Sequence, residues 1–181
     1  GEEYDKVPTE KLLARYNRIV KNLLKNEFID KDAKLTDKGK FGTRIFANEL
    51  IISEIFATDL FQTLTEYQIL LALGALIYEP REKTIIRKKF PTKEYKTIVK
   101  ILKENPLTKK EKRFESLLDV TGFLYPVYNG KTFFDILENT NLLEGDMIRF
   151  YGQILDRIGQ IRKASVNSRL NILMENCQGI I

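Results

Sequence analysis

The sequence predicts an all-α fold: a compact bundle of about seven or eight helices with one long helix near its middle. Three observations point there. Apolar residues recur at steps of three and four through most of the 181 residues, the spacing of one helix face. Helix-start signals recur, with Thr65-x-x-Gln68 and Thr108-Lys-Lys-Glu111 both reading as capping boxes. No long apolar/polar alternation of the kind that marks a half-buried strand is present.

In chain order, residues 9–27 read as a first helix, capped by Thr9, with Leu13, Tyr16, Val20, Leu23 and Leu24 inward. Phe28-Ile29 and Lys34-Leu35 flank a polar turn, so a small β-hairpin is expected near residues 28–35. Residues 1–40 are expected to form a linker or the tail of a winged-helix-like segment, and residues 41–181 the bundle. A helical pattern runs from Phe41 to Phe56 through Ile45, Phe46, Leu50, Ile51, Ile52 and Ile55, interrupted by Glu49 and Glu54. Two carboxylates on such a helix need partners or a polar channel. Thr65 opens the next helix, rich in Leu and Ala, and Pro80 ends it. After a basic loop over 81–91, Thr92 caps a helix with Tyr95, Ile98, Val99 and Leu102 inward, and Asn105-Pro106 stops it. The box at Thr108 is expected to open a helix carrying Phe114, Leu117, Leu118, Thr121 and Tyr125, with Pro126 marking its end. A turn at Asn129-Gly130 and a short helix through Phe133 and Ile136 follow, broken by Asn139-Thr-Asn141. Arg169 to Cys177 reads as the last helix.

The long helix spans Leu142 to Lys163 and carries two contrasting stripes. Met147, Tyr151, Ile154, Ile158 and Ile161 form an apolar one, which Ile148, Phe150 and Leu155 widen. Arg149, Gln153, Asp156, Gln160 and Lys163 recur at the same alternation on the opposite side, about 200° round from Met147.

Composition excludes much chemistry. The chain has no histidine and a single cysteine, Cys177, so histidine acid–base catalysis, Cys-His nucleophiles and a structural zinc site all drop out. One cysteine allows no intrachain disulfide, which sets an intracellular, reducing compartment as the expectation, cytoplasmic or, in a eukaryote, nuclear. No apolar run approaches a membrane span, and no secretory pattern or phosphate-cradling loop occurs. Gly1 fits a piece cut from something larger. Charge is concentrated: thirteen basic and four acidic residues lie between Arg81 and Arg113, +9 in a chain of net +5. That cluster, which includes Arg87, Lys88, Lys89, Lys96 and Lys100, fits a polyanion partner.

Two blocks resemble a known family. The first is Leu35-Thr-Asp-Lys-Gly, then Asn48-Glu-Leu-Ile-Ile-Ser-Glu, then Phe61-x-x-Leu-Thr-x-x-Gln. The second is Gly130-Lys-Thr-Phe, then Glu144-Gly-Asp-Met-Ile-Arg149 opening the long helix. Both resemble the C-terminal helical domain, called DSHCT, of superkiller and exosome-associated DExH-box RNA helicases, whose pattern reads G-x-T-F and then E-G-S-I-I-R. Asp146 stands where the family usually has serine, and residues 80–112 do not match closely. The resemblance implies an accessory domain of an ATP-dependent RNA helicase in RNA processing or decay, guiding single-stranded RNA and bracing the motor domains of the same polypeptide. It makes Arg149 the first RNA contact, with Glu49 or Glu54 lining the same channel and Gln153, Gln160 and Lys163 continuing the stripe. ATP and Mg would belong to the missing motor domains, with no cofactor in this chain. Partners would be single-stranded RNA, those motors and an exosome-like or RNA-decay complex. The alternative is a free-standing helical module or regulator binding duplex DNA; a purely structural scaffold is the third reading.

Overall fold

The computed structural model describes residues 9–45 and 50–181. Among them nine α-helices form an all-α bundle: α1 (Thr9–Lys25), α2 (Asp37–Ile45), α3 (Leu50–Phe56), α4 (Glu66–Ile77), α5 (Lys93–Glu104), α6 (Leu117–Tyr128), α7 (Phe133–Glu138), α8 (Glu144–Ala164) and α9 (Ser168–Ile180). The small hairpin comes down to one antiparallel bridge, Ile29 to Leu35. The Asp30 carboxylate accepts from the amides of Asp32 and Lys34 at 2.9 and 3.0 Å and winds the chain into a tight turn too short for strands. Of the first helix's expected inward stripe, Leu13 and Leu24 are exposed, Val20 and Leu23 half-buried, and the Tyr16 side chain lies outside the described residues, as do Phe46 and Glu49.

The helix buried on every side is α4. Its apolar residues run round the whole circumference, and every residue from Tyr67 to Leu76 is buried. Thr65 and Gln68 cap it reciprocally: the Thr65 hydroxyl accepts from the Gln68 amide at 3.2 Å, and the Gln68 side chain accepts from the Thr65 amide at 2.9 Å. Helices α5, α6, α8 and α9 pack around it. Gly74 permits the closest approach. A Cβ there would lie 2.9 Å from Leu124 Cδ1 on α6 and 3.3 Å from Phe150 Cζ on α8.

The longest helix, α8, buries one side against α4 and α9 through Met147, Phe150, Tyr151, Ile154, Ile158, Ile161 and Ala164. The buried Tyr151 hydroxyl donates to the Phe123 carbonyl at 2.7 Å. Ile148 and Leu155, expected to widen that buried surface, are exposed, because α8 packs from one side only.

The 106–128 segment departs from expectation. Thr108 opens no α-helix: its hydroxyl donates back to the Leu102 carbonyl at 2.6 Å, while the Asn105 side chain takes the amides of Leu107 and Thr108. Two short 3-10 turns follow, and α6 begins only at Leu117. Pro126 sits inside the last turn of α6 rather than beyond it.

Candidate nucleic-acid interface

The polar stripe of α8 is an outer surface: Arg149, Gln153, Asp156, Gln160 and Lys163 are all exposed. Arg149 and Gln153 line a groove of about 200 Å³ between the start of α8 and the chain leaving α4. Its floor is aromatic. The Tyr78 ring lies 5.6 Å from Phe123 and 6.3 Å from Phe150, and those two lie 5.6 Å apart. Burial, helped by the Asp119 carboxylate, raises the Tyr78 hydroxyl above its ordinary range, so it stays a neutral donor. On the far lip Arg81 reaches Asp146 at 3.8 Å. Neither Arg149 nor Gln153 has a hydrogen-bond or ion-pair partner among the described residues.

The rest of the stripe continues away from the groove. At about 1.5 Å per residue, Gln160 lies roughly 16 Å and Lys163 roughly 21 Å along the axis from Arg149. Lys163 borders a separate open depression with Gly159, Arg162 and Asn171. The arrangement is a track with a cation near each end and two amides and the Asp156 carboxylate between them. Such a surface can hold phosphates by charge and adapt its hydrogen bonds to varying bases.

Glu54 is not brought to this groove. One carboxylate oxygen pairs with Lys38 and the other accepts from the Asn105 amide at 2.8 Å, with the Glu54 side chain 13% and the Lys38 side chain 8% exposed. Glu49 lies outside the described residues.

The basic cluster divides into two groups. Arg87 donates to the Glu138 carbonyl, and Lys89 pairs with Asp119 at 2.8 Å, so both are engaged within the fold. The Lys88 ammonium lies 5.9 Å from the Phe90 ring centre. Lys96 and Lys100 are exposed, four apart on α5. The backbone of this loop is held by two asparagines. The side chain of Asn139 binds the amide and carbonyl of Lys88, at 2.7 and 2.8 Å. The side chain of Asn141 binds the Ile85 amide and the Lys83 carbonyl, at 2.8 and 2.7 Å. These asparagines, and Arg81 on the groove, were not singled out as site residues from the sequence. The loop residues that the asparagines hold lie more than fifty positions away in sequence, beyond the reach of any local pattern.

The fold and this surface define an all-α helical bundle that turns one polar, cation-bearing face of its longest helix outward. The DSHCT (NUC185) domain family matches residues 32–181, and the chain belongs to that family, the C-terminal domain of superkiller-type helicases. It is therefore a domain that goes with DExH-box helicases. A comparison with curated proteins finds no match. Among the described residues no group of His, Cys, Asp or Glu is placed to hold a metal ion, and no helix is long and apolar enough to cross a membrane.

Proposed function

We propose that this domain guides single-stranded RNA along the outer stripe of α8 as the strand leaves the helicase motor, and that it braces the motor domains of the same polypeptide. ATP and its magnesium ion belong to those motors, and the setting is RNA processing or decay beside an exosome-like complex. One observation carries the reading: Arg149 and Gln153 are exposed and have no partner among the described residues, over an aromatic-floored groove. A guanidinium can hold a phosphate through two parallel hydrogen bonds or stack on a base. The amides of Gln153 and Gln160 can bond whatever base passes, as a sequence-tolerant guide requires.

The test is fluorescence anisotropy of this chain with matched single-stranded RNA and duplex DNA across a salt series, wild type beside Arg149→Ala. Each neutralised phosphate contributes a slope of about −0.7 in log affinity against log salt for a single strand. The expected result is a salt-dependent preference for single-stranded RNA, weakened about tenfold by Arg149→Ala, with a slope shallower by about 0.7. Tight duplex binding indifferent to Arg149 would move the site to the open lysines of α5, Lys96 and Lys100.

A further inference from the structure

Arg81 stands at the start of the 81–91 loop, on the lip of the groove opposite α8. We propose that Arg81 is a second phosphate-binding cation of the α8 groove, and that Asp146 holds its place until an RNA phosphate takes over. This rests on the reading of the groove as part of the RNA track.

The two partners differ in how firmly they are held. One oxygen of Asp146 accepts from the Leu143 amide at 3.4 Å at the start of α8. There the unpaired helix amides favour a fixed negative charge. The other oxygen meets Arg81 at 3.8 Å. The Arg81 backbone is fixed by a turn, its carbonyl accepting from the Thr84 amide at 3.1 Å. Its side chain, however, is 64% exposed against 23% for Asp146. An exposed pair at that separation is a weak one. A phosphate offers the guanidinium two oxygens in matching geometry and a higher charge, so exchange of Asp146 for phosphate is favourable.

Position makes the exchange specific. Asp146 and Arg149 are three apart on α8, so their side chains share a face. Arg81 reaches that face from the opposite lip, and all three line the same groove. A strand lying over the Tyr78 floor would meet a cation on each side, with Asp146 between them. Asp146 keeps Arg81 drawn in over the groove when no strand is bound and competes with phosphate when one arrives.

The experiment is the same binding series with Arg81→Ala, Arg149→Ala, Asp146→Asn and the Arg81→Ala/Asp146→Asn pair, helical content being followed by circular dichroism. Asn at 146 keeps an acceptor for the Leu143 amide, so the start of α8 is preserved. Arg81→Ala should weaken RNA binding five- to tenfold and reduce the salt slope by about 0.7, the loss of one contact. Asp146→Asn should tighten binding about threefold in the wild type and much less when Arg81 is absent. Wild-type affinity and slope in Arg81→Ala, beside a clear loss in Arg149→Ala, would overturn this inference and leave the RNA track standing. Equal weakening by Asp146→Asn and Arg81→Ala would overturn the exchange. No binding of RNA by the wild type would overturn the track and the inference with it.

Discussion

Asn139 donates its side-chain amide, at 3.2 Å, to the carbonyl of Gly122, the acceptor that Pro126 leaves without its helical N–H. The same amide reaches the Lys88 carbonyl at 2.8 Å, and the side-chain oxygen accepts from the Lys88 amide at 2.7 Å. Gly122 lets the loop lie this close: a Cβ there would fall 2.5 Å from Ile86 Cγ2 and 3.0 Å from the Lys88 carbonyl oxygen. Asn139 thus repairs the proline break in α6 and anchors the basic loop at one point. Asn139→Ala should destabilise the domain by about 1–3 kcal/mol, chiefly because it leaves the part-buried Gly122 carbonyl without a partner. Pro126→Ala restores an N–H for Gly122, so the cost of Asn139→Ala should be smaller in that background. Urea unfolding of the four variants checks both; equal costs in the two backgrounds would refute the link between Asn139 and Pro126.

A second relationship ties α2 to α3. Lys38 pairs with Glu54, donates to the Asn26 carbonyl at 2.8 Å and lies 4.3 Å from the Phe28 ring centre. Removing one member of a pair this buried strands the other charge, which costs about 3–5 kcal/mol. Lys38→Met and Glu54→Leu should each be strongly destabilising, and the double replacement much less so than their sum. Glu54→Gln in the RNA-binding series should leave affinity unchanged where the protein stays folded, because Glu54 does not line the Arg149 groove.

The elements legible in the sequence are the ones whose physics is local. The α8 stripes follow from a three-to-four spacing, and the Thr65–Gln68 box from two residues three apart. The box at Thr108 had the same form and failed, because the preceding helix end captured its hydroxyl at Leu102. What the sequence could not show is long-range pairing. Asn139-Thr-Asn141 reads as a helix breaker, yet it clamps a loop more than fifty residues away. The outward stripe carrying Arg149 was legible; the aromatic floor beneath it and Arg81 across from it were not, because α4, α6 and α8 meet there only in the folded chain.

Glycines on α8 offer a stability test. Gly152 and Gly159 lie in the helix interior, and a Cβ at either would meet nothing within 4 Å. Glycine costs a helix interior about 0.8–1 kcal/mol relative to alanine. Gly152→Ala and Gly159→Ala should therefore each stabilise the domain by about that amount. Gly74→Ala should destabilise it, because Leu124 and Phe150 already occupy the space. Thermal or urea unfolding reads all three, and a loss of stability in Gly159→Ala would show that α8 is packed on its outer side.

Alkaline pH should unfold the domain through groups that the core keeps protonated. Burial, with the Glu66 carboxylate adding to it, pushes the Cys177 thiol from its ordinary 9.0 up to about 12. Burial likewise raises the Tyr151 hydroxyl above its ordinary 10.0, and raises that of Tyr67 with help from Glu94 and the neighbouring Tyr125 and Tyr128. In the unfolded chain each proton leaves at its ordinary value, while the folded chain retains it. The folded state then binds more protons, so stability falls as pH rises, beginning near 9.0 with Cys177 and steepening above 10.0 with the tyrosines. The urea midpoint should begin to fall near pH 9 and drop steeply above about pH 10. Thiol labelling of Cys177 at pH 8 should proceed only as fast as the domain opens. A midpoint independent of pH up to 11, or rapid labelling of the folded protein, would show that these groups are not held in a dry core.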